Sequence, residues 1–137
     1  MVVSKYPEVG LYFRFYGDSF DPDEITRRLG IQPTNQFRLG DPINGNPRAR
    51  WPSYSWIIKV GPRTTLDIKD MLGELREKAD VLPAVVKQVC ADLNLDLVIT
   101  CGVSGEDADA VPTMFFPTEL LKWVTELGAS INVDVSI

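Results

Sequence analysis

The length, composition and charge of the chain exclude several classes of protein. With 137 residues, 45% of them hydrophobic and 24% charged, the chain has ordinary globular composition and fits one domain, residues 1–137. A domain of this size buries roughly two thirds of the surface of its unfolded chain, so it needs no disulfide or metal to fold. The apolar runs are too short to span a bilayer, and the first ten residues lack the pattern of a secretory signal. We therefore expect a cytoplasmic protein that makes no membrane contact.

The absence of histidine narrows the chemistry that the chain could perform. Histidine is the commonest general base, the usual partner of a Ser or Cys nucleophile, and a frequent ligand of zinc and iron. The two cysteines, Cys90 and Cys101, have neither C-x-x-C nor zinc-type spacing, which favours reduced, buried thiols. Cys101 has no histidine to serve as its base. We therefore expect no metal and no cofactor, and a non-enzymatic function is favoured.

Residues 19–30, SFDPDEITRRLG, contain the first acidic cluster, and their pattern is that of a helix start. Asp21 is a preferred N-cap residue, and Pro22 fits the first helical position, where no N–H is needed. Glu24 stands three residues after Asp21 and suits a capping box. Gly30 is placed to end the helix in a left-handed conformation. The acids are therefore interpreted as residues that cap the start of a helix, in preference to a metal or catalytic site.

Strand and helix patterns alternate along the rest of the chain. Period-two alternation predicts strands at residues 11–16, 53–60, 95–103 and 130–137, with shorter strands at 34–40 and 112–116. After a helix cap at Thr64 or Thr65, apolar residues recur at helical spacing, and Pro83 divides this segment into two helices. A further helix is predicted over residues 118–127. This order predicts an α+β fold with a single mixed, mostly antiparallel sheet and helices packed on one face. Its simplest version is a ferredoxin-like core with an added β-α-β unit.

The best candidate site is the segment DPINGNPRARWP, residues 41–52, together with the residues just before it. It is the longest irregular segment of the chain, and functional loops often arise from such segments. Its candidate binding residues are Arg38, Asp41, Arg48, Arg50 and Trp51. Arginine offers a fixed fork of donors for carboxylates, phosphates or acidic partner groups, and Trp gives a broad, rigid contact area. In the structural alternative, Arg38 and Asp41 pair across a turn while the other arginines are solvated, which contributes only about 0–1 kcal/mol.

A second acidic cluster, formed by Glu106, Asp107 and Asp109, partly matches the composition of a calcium-binding loop. It lacks the full alternation of ligands and the distal bidentate Glu of such a loop. The pattern therefore favours a solvated turn over a metal site.

Three motifs resemble the family known as domain of unknown function 4279, and the likeness covers essentially the whole chain. They are the opening GD-x-F-x-P-x-x-I-x-x-x-L-G-I-x-P from Gly17, the pair Gly40–Asp41, and the ending ELGA-x-I-x-V-D at residues 126–134. Family members commonly carry Trp ahead of the Gly-Asp pair, where this chain has Phe37. The resemblance implies a small cytosolic bacterial domain. It implies no established activity, cofactor or catalytic residue.

Two functions from different classes follow from these observations. The favoured one is a non-enzymatic binding module with a protein partner, for example an immunity-like protein that neutralises a toxin. The alternative is a small-molecule-binding domain or small enzyme, which would need a deep pocket where Arg38 and Arg50 converge with an acid of raised pKa. The net charge of −5 makes nucleic acid an unfavourable partner. The terminal strand has a long potential edge, through which two copies could pair as a homodimer.

Overall fold

The structure is a computed structural model that describes residues 6–105, 110 and 112–136. Strands and helices follow one another along these residues as β1 (Glu8–Tyr16), α1 (Pro22–Leu29), β2 (Asn35–Phe37), β3 (Pro42–Ile43), β4 (Asn46–Arg50), β5 (Ser55–Thr64), α2 (Lys69–Lys78), α3 (Pro83–Leu93), β6 (Asp96–Ser104), α4 (Thr118–Leu127) and β7 (Ser130–Ser136). The acidic cluster Glu106, Asp107 and Asp109 lies outside the described residues.

The main sheet has five strands in the order β2-β5-β1-β6-β7. The central strand β1 is antiparallel to both β5 and β6, β2 is antiparallel to β5, and β7 is parallel to β6. Helix α1 links β1 to β2, and α2 with α3 links β5 to β6, so two β-α-β units interleave. Helix α4 and β7 extend this sheet through a third β-α-β connection. The α+β fold with a mixed, mainly antiparallel sheet is confirmed.

The hydrophobic core lies between the helices and one face of the sheet. Alternate residues of β1, namely Val9, Leu11, Phe13 and Phe15, are fully buried. The ring of Phe13 lies 5.8 to 6.4 Å from the rings of Phe15, Trp56 and Trp123, which joins β1 to β5 and α4. Helices α1, α2 and α4 contact the strands on this side, while α3 packs against α1 and α4. The other face of the sheet is left without a helix in the described part of the chain.

Helix α1 starts and ends where its sequence predicts. The carboxylate of Asp21 accepts a hydrogen bond from the Asp23 N–H at 3.0 Å, and Gly30 closes the helix with a φ of 74°. The predicted capping box is absent, because the Glu24 carboxylate binds the Arg27 guanidinium instead. The Glu24 carboxylate therefore pairs with a cation one turn along the helix and not with the backbone at the cap.

Three local predictions were wrong. Helix α2 begins at Lys69 rather than after a Thr64 or Thr65 cap, because β5 continues to Thr64 and Asp67 accepts the Lys69 N–H at 2.9 Å. Residues 112–116 form no strand and contribute a single bridge, between Thr113 and Asp67. The segment 41–52 contains the hairpin β3–β4, turned at Gly45 with a φ of 82°.

No helix in the described part of the chain has the length and apolarity that crossing a bilayer requires.

Candidate functional site: the open face of the sheet

The face of the sheet away from the helices, here called the open face, carries aromatic and cationic side chains at its centre. The strand register places Tyr12 opposite Lys59 and Thr100, and Arg14 opposite Ile57 and Val98. Side chains of residues directly opposite each other point to the same face. The open face therefore contains Tyr12, Arg14 and Tyr16 of β1, Ile57 and Lys59 of β5, Val98 and Thr100 of β6, and Phe37 of β2.

Arg14 lies at the centre of the open face and stacks on an aromatic ring. Its guanidinium carbon lies 4.4 Å from the centre of the Tyr16 ring. Its Nε atom is buried and has no hydrogen-bond partner among the described residues. The side chains of Ile57 and Val98 flank it across the two neighbouring strands. Stacking on Tyr16 holds the guanidinium plane in a fixed orientation.

Two glycines make room for Tyr12 on the same face. Gly10 and Gly102 are register partners, so neither position has a side chain of its own. A Cβ atom added at Gly10 would lie 2.7 Å from the Tyr12 hydroxyl oxygen, and one at Gly102 would lie 3.5 Å from the ring. The Tyr12 ring therefore leans along the sheet, beside a shallow basin of about 300 Å³. The ammonium group of Lys59 lies 5.8 Å from the ring centre, within the range of a cation–π contact.

The base of the β3–β4 hairpin is attached to the open face by an aromatic stack. The rings of Phe37 and Trp51 lie 3.7 Å apart at an interplanar angle of 11°. The Gly40 N–H donates to the Trp51 carbonyl at 2.8 Å, and the Trp51 N–H donates to the Asp41 carbonyl at 2.9 Å. These contacts fix Trp51 beside β2, so this predicted binding residue belongs to the open face.

Arg38 and Asp41 have other roles than the pairing that the sequence suggested. The Asp41 carboxylate accepts the backbone N–H of Arg38 at 2.8 Å, which closes the turn. The Arg38 guanidinium instead binds the carboxylates of Asp21 and Asp23 at the start of α1. The predicted ion pair across the turn is therefore wrong, because two acids placed by the helix cap outcompete one acid in the turn.

The acid beside Arg38 is stabilised in its ionised form. The pKa of Asp23 is held below its usual value by the hydrogen bond from the Gln36 amide and then by the Arg38 guanidinium. A general acid or base at neutral pH needs the opposite shift in a carboxyl group. Arg38 and its two acids therefore form a structural ion-pair cluster.

Arg48 and Arg50 lie on the exposed strand β4 of the hairpin. The Arg48 N–H donates to the Asn46 side chain at 3.1 Å, and Arg50 is the register partner of Pro42. Within the described residues, neither guanidinium forms an ion pair. Both side chains are exposed on the hairpin.

Three cavities in the described part of the chain lie away from the predicted arginines. One of about 630 Å³ lies between α2, α4 and residues 113–117, and its apolar lining includes Leu66, Leu72, Phe115 and Leu120. Another of about 390 Å³ adjoins it beside Trp123. None of the three cavities described here has Arg38 or Arg50 in its wall, so the two arginines do not converge on a pocket.

The described residues contain no group of three or more Asp, Glu or Cys side chains arranged to hold a metal ion. The two cysteines are unpaired thiols. Burial and then the charge of Asp96 raise the pKa of Cys90 to about 11, and burial raises the pKa of Cys101 as well. Raised pKa values keep both thiols protonated and therefore unreactive at neutral pH.

The family of the protein follows from a match along nearly its whole length. A family model described as "Domain of unknown function (DUF4279)" matches residues 7–137. The chain belongs to the DUF4279 family. No curated protein and no solved structure matches it.

The three motifs that carry the DUF4279 resemblance all have structural roles in this chain. In the first, a Cβ atom added at Gly17 would lie only 2.5 Å from the Cδ2 atom of Leu95, so glycine leaves the space that the Leu95 side chain occupies. In the second, Asp41 closes the turn after β2. In the third, Gly128 ends α4 with a φ of 70°, two residues before β7 begins. These motifs therefore specify the scaffold of the DUF4279 protein.

Sequence reasoning missed most of the open face as a candidate site. Alternation over residues 11–16 places Tyr12, Arg14 and Tyr16 on one side of a strand, but it does not by itself indicate a binding surface. The available signal was the unusual composition of that side, since the outer face of a strand is normally polar. Lys59 joins them only through strand pairing, which sequence spacing does not reveal.

Proposed function

We propose that this DUF4279 protein is a non-enzymatic module that binds another protein through the open face and the adjoining hairpin. The observation that carries the proposal is the side of the sheet without a helix, where Arg14 stacks on Tyr16 beside Tyr12. These side chains are partly or fully exposed to solvent, and exposed apolar patches can mark interaction sites. Tyr, Trp and Arg are also the residues that contribute most to the energy of protein interfaces.

Local charge supports an acidic protein surface as the partner. Arg14, Lys59, Arg48 and Arg50 form no ion pairs within the described residues, and they lie in the half of the molecule formed by β1, β5 and the hairpin. Acidic side chains of a partner would neutralise these cations. The net charge of the whole chain is −5, which opposes an extended polyanion such as nucleic acid. A compact acidic patch fits the charge distribution better.

The alternative, a small enzyme or small-molecule binder that uses carboxylates and arginines, has less support. Arg38 is engaged by Asp21 and Asp23, and the pKa of Asp23 is lowered. Arg50 lies on an exposed strand, away from the walls of the three cavities. Among residues 6–105 and 112–136, no acid of raised pKa lies beside converging arginines.

The cellular setting that we propose is the bacterial cytoplasm. The unpaired thiols Cys90 and Cys101 support a reducing compartment. The interleaved β-α-β units of β1, β2, β5 and β6 support the ferredoxin-like description of the core. An immunity-like role is one form of the proposed function, in which the acidic surface belongs to a toxin.

Affinity capture with matched variants tests the proposal. The wild-type protein is expected to recover a stoichiometric protein partner from native lysate. The double variant Tyr12→Ala with Arg14→Ala, and separately Arg50→Ala with Trp51→Ala, should weaken that partner's binding at least about tenfold, since interface Tyr, Trp and Arg side chains each commonly contribute more than about 1 kcal/mol. Lys122→Ala with Glu126→Ala, on the exposed side of α4, is the matched control and should bind like the wild type.

Two outcomes would contradict the proposal. One is a partner that binds both double variants as strongly as the wild type, or that fails to bind the α4 control variant. The other is salt-sensitive binding of a fluorescent single-stranded oligonucleotide, which would identify the cationic aromatic face as a nucleic-acid surface.

A further inference from the structure

Strand β7 is a long, uncovered edge of the sheet. In the described part of the chain its one strand neighbour is β6, so the opposite side of its seven residues has no pairing strand. The other edge of the sheet, β2, has only three residues. An edge strand presents a row of unpaired N–H and C=O groups, which favours pairing with another strand. The length of β7 makes it the better of the two edges for such pairing.

The apolar side of β7 is exposed, in contrast to its neighbour. Val133 and Val135 are the register partners of Cys101 and Val103, so they point toward the helix side of the sheet. Cys101 and Val103 are each 2% exposed, whereas Val133 is 41% exposed and Val135 is 48% exposed. The hydrophobic layer between sheet and helices therefore ends at β7 without being covered. A further strand beside β7 would bury both valines.

We propose that this strand is β7 of a second copy of the chain, paired antiparallel about a two-fold axis at Val133. In that register Val133 lies opposite its own copy, and Ile131 lies opposite Val135. Asn132 lies opposite Asp134, and the two-fold axis creates this pair twice. The Asn132 amide is a hydrogen-bond donor for the Asp134 carboxylate, while both side chains are exposed on the open-face side. The apolar residues thus meet on one side of the joined sheet and the polar pairs on the other.

The charge of β7 disfavours one alternative register and favours a second copy as the occupant. Asp134 is the only charged residue of the strand, and its complement, Asn132, lies two residues away on the same face. An axis at Asp134 would place two carboxylates opposite each other, which is destabilising. The axis at Val133 avoids that repulsion and satisfies each carboxylate with an amide. β7 is therefore complementary to itself, as a two-fold interface requires.

The geometry of the dimer would join two sheets into one. Residues of the same parity face each other in this register, so the helices of both copies lie on one side and both open faces on the other. The dimer would display two copies of the open face side by side. This inference rests on β7 alone and holds whether or not the open face binds a partner.

Sedimentation equilibrium of the full chain tests the dimer through its polar pairs. The wild-type protein should reach the mass of a dimer at micromolar concentration. Asn132→Asp places a carboxylate at position 132 opposite Asp134 in both of the symmetry-related pairs. The repulsion should raise the dimer dissociation constant about tenfold. Adding Asp134→Asn to this variant restores an amide opposite each carboxylate, and should return the constant to within about threefold of the wild-type value. Asn35→Asp, on the exposed edge strand β2, is the matched control and should leave it unchanged.

The outcomes separate this dimer from other arrangements. A wild-type protein that stays monomeric up to about 100 μM overturns the proposal, since a specific interface is expected to assemble well below that concentration. A dimer whose dissociation constant is unaltered by Asn132→Asp overturns the register, as does a double variant that fails to recover. Unchanged far-ultraviolet circular dichroism of each variant shows that an altered mass reflects the interface and not unfolding.

Discussion

Arg14 lies over the ring of Tyr16, with its guanidinium carbon 4.4 Å from the ring centre, on the side of β1 that faces away from the helices. The two residues are separated by one position, so the pleat of the strand places them on the same face. Phe13 and Phe15, the alternating residues, are fully buried on the other side. One six-residue run therefore supplies both the centre of the core and the centre of the proposed binding surface.

This division of β1 predicts that two adjacent substitutions lower the stability by unequal amounts. Phe13→Ala removes a ring that contacts Phe15, Trp56 and Trp123, and should lower the free energy of unfolding by about 3–5 kcal/mol. Tyr12→Ala alters the open face and should cost clearly less. Urea denaturation followed by tryptophan fluorescence measures both. Equal losses for the two variants would contradict the separation of core and surface.

The interpretation of the first acidic cluster as a helix start is tested at Asp21. Asp21→Ala removes the acceptor for the Asp23 N–H and should lower the free energy of unfolding by about 1 kcal/mol. Asp21→Asn keeps a good cap while it removes the charge that faces Arg38, and should cost less than the alanine variant. Chemical denaturation compares the two. Equal losses for the two variants, which both remove the charge, would assign the main role of Asp21 to the ion pair.

The lowered pKa of Asp23 predicts an acid-dependent contribution to stability. A carboxyl group whose folded pKa lies below its unfolded value stabilises the protein at higher pH, and the effect is lost as the pH falls below the ordinary value of 3.8 toward the folded pKa. Gln36→Leu removes the largest cause of the shift, so the pKa of Asp23 should rise and the loss of stability in acid should become shallower. Carboxyl carbon shifts in an NMR titration measure this pKa.

An internal control for that titration is Asp92, whose pKa is lowered by hydrogen bonds from Gln88 and Arg28. It should titrate identically in the wild type and in Gln36→Leu. An unchanged pKa of Asp23 in the variant would show that the Gln36 contact does not stabilise the carboxylate.

The raised thiol pKa of Cys90 predicts slow alkylation of the folded protein. At pH 8 a thiol of pKa about 11 has about one hundredth of the thiolate fraction of a thiol with the ordinary value of 9.0, so iodoacetamide should react with Cys90 about a hundredfold more slowly than in the unfolded chain. Mass spectrometry of peptides containing Cys90 and Cys101 follows the reaction. Equal rates in the native protein and in guanidinium would contradict the burial of Cys90.

The sequence predicts those parts of the fold that depend on local physical rules. Alternation specified β1 and β7, and capping chemistry specified the start and end of α1. Pro83 separated α2 from α3 because its ring fits only the first turn of a helix. The hairpin β3–β4 was missed because its strands are too short to show alternation among turn-forming residues.

The candidate site could be predicted only in part, because its residues meet through non-local pairing. The segment 41–52 contains the predicted binding residue Trp51, but the stacking partner of Trp51, Phe37, lies on another element. Arg38 binds acids 15 and 17 positions earlier in the chain, which no local pattern indicates. The open face itself depends on the order of the strands, because that order places Lys59 beside Tyr12.

Site-specific photo-cross-linking tests the central claim, that the open face binds a protein, most directly. Tyr16, 38% exposed on the open face, and Phe115, 70% exposed beside α2 and α4, are replaced one at a time by p-benzoylphenylalanine, which substitutes one aromatic group for another. After irradiation in cells, the account predicts a covalent adduct with a second protein at position 16 and none at position 115. An adduct at position 115 alone, or at neither position, would contradict it.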